Sequence, residues 1–245
     1  MKKIFIMADS HLCAREEPHP SYVLAKKIAA DIEPDMIVHL GDFLDLPYFA
    51  SFNKEKIAIL ADGNWEEDVL LMQRELKELQ SYTTSLHIIE GNHDNRTEQV
   101  GLKVPAFQRS CDYETRFQFR EHGIGYHRML DRIFKVGKLS FIHGWYYNKF
   151  HARKTLDEYA GNIIYGHVHA NQTFSRVLVA KNYEEIQAWA IGCLCAKDPD
   201  YVKGRPTGHQ NAVAVAYMRE DGNFNMYPIN IVRDRCIFEG TEYAL

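Results

Sequence analysis

The sequence predicts an α/β fold built from two β-sheets, and three observations carry this prediction. Short apolar runs rich in Ile, Val and Phe, each ended by glycine or a polar cluster, are typical of buried strands. Two amphipathic helical patterns alternate with the first three runs, an order that favours parallel strands. The second half of the chain is richer in strand-like runs, which indicates a second sheet packed against the first.

The first half of the chain reads as strand, helix, strand, helix, strand. The strand-like runs cover residues 3–8, 35–40 and 85–90. The first helix begins at Pro20-Ser21 and has an apolar stripe of Val23, Leu24, Ile28 and Ile32. The second helix follows Asn64 as its capping residue, and its stripe consists of Val69, Leu70, Met72, Leu76 and Leu79.

The second half supplies further strands and two segments without a clear period. The predicted strands cover residues 138–142, 162–165, 178–180 and 187–190, followed by a hairpin of 211–218 and 223–231. The segments 46–63 and 95–135 are predicted to be irregular. The longer one is aromatic and rich in arginine, and two interpretations stay open: a folded cover with solvated arginines, or a lid that contacts a phosphate or nucleobase.

Length and composition fit one domain spanning residues 1–245, with the segment at about 95–135 as an insert. The net charge of −4 gives no global attraction to nucleic acid, so a polyanionic substrate would need a local patch or bound metal. Five cysteines without framework spacing fit a reducing cytoplasm. The apolar run at 4–8 is too short for a signal peptide, and no run reaches the roughly 18 residues of a membrane-spanning helix. We therefore expect a cytoplasmic protein without a membrane segment.

Five of the strand-like runs end in polar clusters that hold the chemically active side chains. In chain order these are Asp9-x-His11, Gly41-Asp42-x-x-Asp45, Gly91-Asn92-His93-Asp94, His143-Gly144 and Gly166-His167-x-His169. Because ligands bind beyond the carboxyl ends of strands in open α/β sheets, we expect the clusters to meet in space. Carboxylates, imidazoles and one amide, with no thiolate, suit Mn, Fe, Zn, Co or Mg, and Mn is favoured here. Seven such ligands exceed the needs of one ion and fit two, roughly 3.5–4 Å apart.

These five clusters resemble the ordered motifs of the calcineurin-like metallophosphoesterase superfamily. All five are intact and in order between residues 3 and 169, and they are most similar to the phosphodiesterase and nuclease branches, including small phage and bacterial members. The resemblance implies a four-layer αββα sandwich, in which two facing mixed β-sheets are flanked by helices.

The resemblance also implies the site and its two divalent ions. One ion would be held by Asp9, His11 and His169. The other would be held by Asn92, His143 and His167, and Asp42 would bridge the two. His93 would act as general acid and Asp45 would orient it. Arg96 would be an additional, weaker contact to a substrate phosphate.

The function implied is that of a metal-dependent phosphoric ester hydrolase that acts on phosphodiesters of nucleotide type. Leu46 and Asp94 stand where protein serine/threonine phosphatases carry Arg and Glu, which argues against that branch. Two alternatives stay open. One is a DNA- or RNA-processing nuclease whose insert grips single strands through Arg116 and Arg120. The other is a non-catalytic scaffold, as in a retromer subunit of the same fold, although here the complete ligand set argues against it.

The remaining histidines and a cysteine pair have simpler interpretations. His39 and His87 lie inside strands and are predicted to be core or face residues. Surface positions are predicted for His19, His122, His127, His151 and His209, with a role in substrate contact left open for His127 and His209. Cys193-x-Cys195 lies in an apolar run, which favours buried thiols over a metal or redox pair.

Overall fold

The computed structural model describes residues 1–198 and 203–245. Its strands are β1 (Lys2–Met7), β2 (Met36–His39), β3 (Leu86–Ile89), β4 (Gly125–His127), β5 (Phe134–Val136), β6 (Leu139–Ile142), β7 (Ile163–Tyr165), β8 (Gln172–Leu178), β9 (Glu184–Ala190), β10 (Asn211–Met218), β11 (Phe224–Ile231), β12 (Arg235–Phe238) and β13 (Thr241–Ala244). Its α-helices are α1 (Pro20–Ile32), α2 (Ile57–Asp62), α3 (Trp65–Gln80), α4 (Arg96–Lys103), α5 (Gln108–Cys111), α6 (Tyr113–Arg116) and α7 (His151–Tyr159).

Most of the strands belong to two large mixed sheets. The first has the order β11-β10-β1-β2-β3-β4, in which β1 to β4 run parallel and β10 joins β1 antiparallel. The second has the order β5-β6-β7-β9-β8, with a parallel centre and antiparallel edge strands. β12 and β13 form a separate hairpin. The parallel start of the first sheet agrees with the alternation of strands and helices in the sequence.

The two large sheets face each other, as the alternation of side chains along β1 shows. Ile4 lies in a core shared with Phe141 of the second sheet. Its neighbour Phe5 points to the opposite side, into a core that includes α1 and α3. On the far side of the second sheet, Leu156 of α7 packs against β7 and β9. The predicted four-layer αββα sandwich is therefore confirmed.

The two predicted long helices are present, but the buried face of each differs from the predicted stripe. Asn64 caps α3, since its side-chain oxygen accepts a hydrogen bond from the backbone of Glu67 at 3.3 Å. Leu70 is 66% exposed, and its neighbour Leu71 is the buried residue. Val23 of α1 is likewise 37% exposed. These two predictions were wrong because a helix on one side of a sheet buries only the residues that face the sheet.

The strand predicted at 178–180 lies earlier in the chain, at β8. Residues Val179–Lys181 form a 3-10 turn instead. β8 is an edge strand whose residues are alternately half-buried and exposed, so it is more polar than the central strands. A search for apolar runs misses a strand of this kind, because only one of its faces is covered.

The two segments predicted to be irregular contain short elements. The segment 46–63 includes α2, and the segment 95–135 includes α4 to α6, β4 and the start of β5. The longer segment is organised by buried aromatic side chains, among them Tyr113, Phe117 and Phe119. These elements are too short to show a period of their own, and their order comes from packing against α3 and the first sheet.

His151 is buried, contrary to the prediction of a surface position. It is the first residue of α7, and its Nδ1 lies 2.7 Å from the hydroxyl of Tyr165 on β7. The inner face of α7 carries this polar contact as well as apolar ones.

Among the described residues, none of the helices combines the length and the hydropathy that crossing a bilayer would take.

Candidate metal centre

The five polar clusters meet at one edge of the sandwich, where loops leave the carboxyl ends of β1, β2, β3, β6 and β7. Backbone hydrogen bonds join these loops directly. The amide of Asp9 donates to the carbonyl of Gly41 at 3.1 Å, and that of His11 donates to Asp42 at 3.0 Å. In the second sheet, the amide of Gly166 donates to His143 at 2.8 Å. Backbone hydrogen bonds, as well as side-chain contacts, therefore fix the positions of these loops.

Many of the predicted site residues have a left-handed backbone conformation. The φ angles are 51° at Asp9, 44° at His11, 52° at Asp42, 67° at His167 and 57° at His169. Non-glycine residues with positive φ are uncommon and each cost of the order of 1–3 kcal/mol when strained. The surrounding hydrogen bonds hold this geometry, which directs the side chains into the space between the two sheets.

Asp42 lies at the middle of the cluster and is buried. Its Oδ2 is 3.4 Å from Nε2 of His143 and 3.7 Å from Nε2 of His11. Its Oδ1 accepts a hydrogen bond from the amide of His93 at 2.7 Å. Burial alone would raise the pKa of Asp42, but the charges of the surrounding histidines outweigh it and hold the pKa well below its usual range. Asp42 is therefore ionised at neutral pH and lies between two groups of potential metal ligands.

The first of these groups consists of Asp9, His11 and His169. Nε2 of His11 and Nε2 of His169 are 3.1 Å apart, and the latter is 3.6 Å from Oδ1 of Asp9. Both carboxylate oxygens of Asp9 also accept from the amide of His167, at 3.1 and 2.8 Å. Those bonds fix the orientation of the Asp9 carboxylate.

The second group consists of Asn92, His143 and His167. Nε2 of His143 lies 3.0 Å from Oδ1 of Asn92 and 3.2 Å from Nδ1 of His167. Nδ1 of His143 is 2.8 Å from the carbonyl oxygen of Leu40. Because a carbonyl only accepts, Nδ1 carries the proton and leaves Nε2 free to bind a metal. Burial lowers the pKa of His143, yet the charge and hydrogen bond of Asp42 raise it to about 9 overall, so a metal ion bound at Nε2 would displace a proton from that nitrogen.

These donor sets fit divalent cations. In each group, ring nitrogens and a carboxylate or amide oxygen face one another at close range. When the rings are neutral, these atoms have more lone pairs than N–H donors to fill them. A cation between them supplies the missing positive charge. The atoms of Asp9, His11 and Asp42 lie within 4.8 Å of one another, as do those of Asp42, His143 and His167. Imidazole with carboxylate suits borderline first-row ions.

His93 and Asp45 lie beside this centre. Nδ1 of His93 is 2.9 Å from both the backbone oxygen and Oδ1 of Asp45, while Nε2 points towards Asp42, 3.9 Å from its Oδ2. Oδ1 of Asp45 also lies 3.0 Å from Nδ1 of His11. Burial would raise the pKa of Asp45, but the hydrogen bonds from both histidines lower it. Asp45 therefore fixes the orientation of both rings.

Arg96 contacts the same histidine. Its Nη2 lies 2.8 Å from Nε2 of His93, and Nη1 donates to the backbone oxygen of Asp45 at 2.6 Å. The guanidinium group therefore lies at the edge of the centre, next to the predicted acid. Burial lowers the pKa of His93, yet the charge of Asp42 and the hydrogen bond to Asp45 outweigh it, and the net pKa is raised.

Two later arginines of the insert, Arg116 and Arg128, form ion pairs away from the centre. Arg116 pairs with Glu66 of α3, and Arg128 pairs with Asp112 at 3.1 Å and Glu114 at 3.2 Å. These ion pairs reduce the positive charge that the insert offers to a nucleic acid.

Two further residues lie near the centre: Cys195, for which the sequence predicted a buried thiol, and His209, for which a role in substrate contact was left open. Sγ of Cys195 lies 3.9 Å from Nδ1 of His169, and the ring of His209 packs against the same histidine at 4.7 Å between centroids. The apolar neighbours of Cys195 gave no signal of a polar site. By contrast, His39 is a buried core histidine as predicted, and its Nε2 lies 2.7 Å from the hydroxyl of Ser10.

Comparison with known proteins identifies the family. The calcineurin-like phosphoesterase model matches residues 2–171. No curated protein matches the chain in sequence. Vps29 from Cryptosporidium parvum is 10% identical with a TM-score of 0.51, over 98% of this chain and 94% of that chain. The E. coli phosphoesterase YfcE is 14% identical with a TM-score of 0.40, over 92% and 98% of the two chains. The structural similarity concerns the fold alone. On the match over residues 2–171, the chain belongs to the calcineurin-like phosphoesterase family and is a metal-dependent phosphoester hydrolase.

Proposed function

We propose that this chain holds two divalent ions and hydrolyses phosphodiesters of nucleotide type. One ion is assigned to Asp9, His11 and His169, and the other to Asn92, His143 and His167, with Asp42 between them. The observation that carries the proposal is the central carboxylate, whose Oδ2 is within 3.7 Å of ring nitrogens from both groups. When bound, two such ions lower the pKa of a coordinated water and neutralise phosphoryl oxygens.

His93 is the proposed general acid. Its Nε2 faces the centre while its Nδ1 is held by Asp45. The carboxylate of Asp45 accepts from Nδ1 and so stabilises the protonated ring. In the structure Nη2 of Arg96 donates to Nε2; when the guanidinium turns to the substrate phosphate, Nε2 can carry a proton and pass it to the oxygen of the leaving alcohol. Arg96, beside Nε2, is proposed as a contact to the substrate phosphate, where guanidinium makes charge-assisted hydrogen bonds.

The surface next to the centre supports a nucleoside-bearing substrate. Trp145 and Tyr147 follow His143 in the chain and are 43% and 81% exposed. The ring of Tyr147 is 6.4 Å from that of His167. A cleft lined by Trp145 and Arg132 also reaches His143. Exposed aromatic faces bind bases by stacking, and a cationic side chain beside them favours an anionic substrate.

The mechanism is tested by turnover of bis-p-nitrophenyl phosphate with added Mn²⁺. His93→Ala should lower kcat by about 10²–10⁴-fold, the usual contribution of a general acid. Asp42→Ala should abolish turnover and metal binding together. His122→Ala, at an exposed histidine of the insert, is the matched control and should keep full activity. Unchanged turnover in a folded His93→Ala protein would remove the proposed acid.

The substrate class is tested with two esters that share a leaving group. Thymidine 5′-p-nitrophenyl phosphate should be hydrolysed with a higher kcat/KM than methyl p-nitrophenyl phosphate. Trp145→Ala should lower this preference about tenfold, since stacking contributes roughly 1–3 kcal/mol per base. Tyr183→Ala, an exposed aromatic residue after β8, should leave the preference unchanged. Equal kcat/KM values for the two esters in the wild-type protein would rule out nucleoside recognition.

A further inference from the structure

The loop after β9 brings a cysteine to the metal centre, and its backbone is firmly held. The amide of Leu194 donates to the carbonyl of Asp9 at 3.0 Å. The buried side chain of Asn211 donates to the carbonyl oxygens of Cys193 at 3.1 Å and of Cys195 at 2.9 Å. The loop is therefore joined both to the first metal loop and to β10, which fixes the position of the Cys195 thiol.

The Cys195 thiol belongs to a further set of possible metal ligands that shares His11 and His169 with the first group, and its Sγ lies 3.9 Å from Nδ1 of His169. Potential ligand atoms of His11, His169 and Cys195 all lie within 4.8 Å of one another. Cys195 is partly exposed and carries no disulfide. Cys193 differs, because it is fully buried and its Sγ lies close to carbonyl oxygens, 3.7 Å from that of Cys195 and 3.6 Å from that of Gln210.

We propose that Cys195 is a ligand of the ion held by Asp9, His11 and His169. The thiol loses its proton to solvent as the sulfur–metal bond forms, so the site gains one negative charge and releases one proton. The inference depends on one part of the proposed function, namely that Asp9, His11 and His169 hold an ion. It differs from the sequence-based expectation of a ligand set without sulfur and of a Cys193-x-Cys195 pair that takes no part in metal binding.

A thiolate changes which ion this half of the centre prefers. Sulfur is a soft ligand that favours Zn, Co or Fe over Mg or Mn, whereas the other half, with Asn92, His143 and His167, offers only oxygen and nitrogen. The two halves of the centre therefore prefer different metal ions. We expect the ion beside Cys195 to be the more tightly held of the two when Zn²⁺ or Co²⁺ is supplied.

Cobalt spectroscopy on the full chain tests the bond directly. Co²⁺ added to the metal-free protein should give a thiolate-to-cobalt charge-transfer band in the near ultraviolet together with visible ligand-field bands. Cys195→Ser should lose the first and keep the second. Cys13→Ser is the matched control and should keep both, since Cys13 is also partly exposed and lies two residues past His11.

The possible outcomes separate this inference from the proposed function. Ligand-field bands without a charge-transfer band in the wild-type protein overturn it, because Cys195 then only hydrogen-bonds His169. A band that persists in Cys195→Ser, or that disappears in Cys193→Ala instead, also overturns it. Phosphodiester turnover in either case would leave the proposed function intact, whereas a protein that binds no cobalt would contradict both.

Alkylation of the wild-type protein provides a test that needs no variant. Iodoacetamide labelling followed by mass spectrometry of the peptides should show Cys195 protected by Zn²⁺, by at least tenfold in rate, because a metal-bound thiolate is a weaker nucleophile. Cys13 should be labelled at the same rate with and without the ion. Equal labelling of Cys195 in both conditions would contradict the sulfur–metal bond.

Discussion

The hydroxyl of Tyr113 donates a hydrogen bond to Oδ1 of Asp94 at 2.8 Å, and both side chains are buried. Asp94 also accepts from the backbone amide of Gly91 at 2.9 Å and from that of Phe43 at 3.1 Å. One carboxylate thus connects the loop after β2, the loop after β3 and helix α6. Burial and the charge of Asp42 raise the pKa of Asp94 to about 6, against the effect of these donors. The first residue of the insert helix α6 therefore helps to hold the loops that carry the proposed metal ligands.

Tyr113→Phe should lower the free energy of unfolding by about 1–3 kcal/mol, because it leaves a buried carboxylate without one donor and keeps the aromatic packing. Urea denaturation followed by circular dichroism measures this. Tyr147→Phe, at an exposed hydroxyl, is the control and should stay within about 0.5 kcal/mol of the wild-type protein. Equal stability of the two variants would show that the hydrogen bond from Tyr113 contributes nothing.

His87 and His127 should make the protein less stable in acid. Nδ1 of His87 is 3.0 Å from Nε2 of His127, and both rings stack on Phe134. Burial lowers the pKa of both histidines, to about 4 for His127. Between the folded value of about 4 and the unfolded value of 6.5, the unfolded chain binds more protons. The contribution of this pair to the free energy of unfolding is therefore fully present above pH 6.5 and is lost as the pH falls towards 4.

His127→Phe should reduce this loss of stability in acid, while the new ring keeps the stacking on Phe134. We expect the wild-type protein to lose roughly 1–2 kcal/mol more than the variant between pH 7.5 and pH 5. Urea denaturation at the two pH values, with a chelator present throughout, measures the difference. The chelator keeps metal binding out of the comparison. Parallel losses in the two proteins would contradict a contribution from this pair.

The meeting of the five strand ends could be predicted from the sequence because each cluster has a local signal. Each cluster is a strand followed at once by polar residues, and parallel strands bring such ends to one edge without any knowledge of long-range contacts. His11 and His169 are separated by 158 positions in the chain, yet their nearest nitrogens are 3.1 Å apart. His11 follows β1 of the first sheet and His169 follows β7 of the second, so the packing of the two sheets against each other accounts for this proximity.

Cys195 and the insert could not be predicted in this way. Cys195 reaches the centre because Asn211 and Asp9 hold its loop, and both contacts depend on the position of β10 in the first sheet. The insert is organised by aromatic packing against α3, which leaves no period in its sequence. A side chain whose position depends on tertiary contacts leaves no pattern in the neighbouring sequence. A side chain that follows the end of a strand does, because the apolar run before it is visible in the sequence.

Gly91→Ala should disrupt metal binding without removing a ligand. A Cβ at Gly91 would lie 2.1 Å from the backbone nitrogen and 2.2 Å from Oδ1 of Asp42, which is closer than non-bonded atoms allow. Asp42 would have to move, and we expect at least a tenfold loss of Mn²⁺ affinity by calorimetry, as for the loss of a ligand-orienting contact. Gly208→Ala, where nothing lies within 4 Å, should bind Mn²⁺ normally. Normal affinity in Gly91→Ala would mean that the two loops are loosely packed.

Bound metal should stabilise the fold, and Asp42 should carry most of that effect. A ligand that binds only the folded state adds about 2.7 kcal/mol at a free concentration of one hundred times its Kd. We expect Mn²⁺ to raise the Tm of the wild-type protein accordingly, and EDTA to reverse the shift. Asp42→Asn should lose most of it, because both ligand groups share this carboxylate. Asp221→Asn removes the same charge in the exposed turn between β10 and β11 and should keep the full shift. An Asp42→Asn protein that retains more than half of the shift would contradict the bridging position of Asp42 and leave two independent sites.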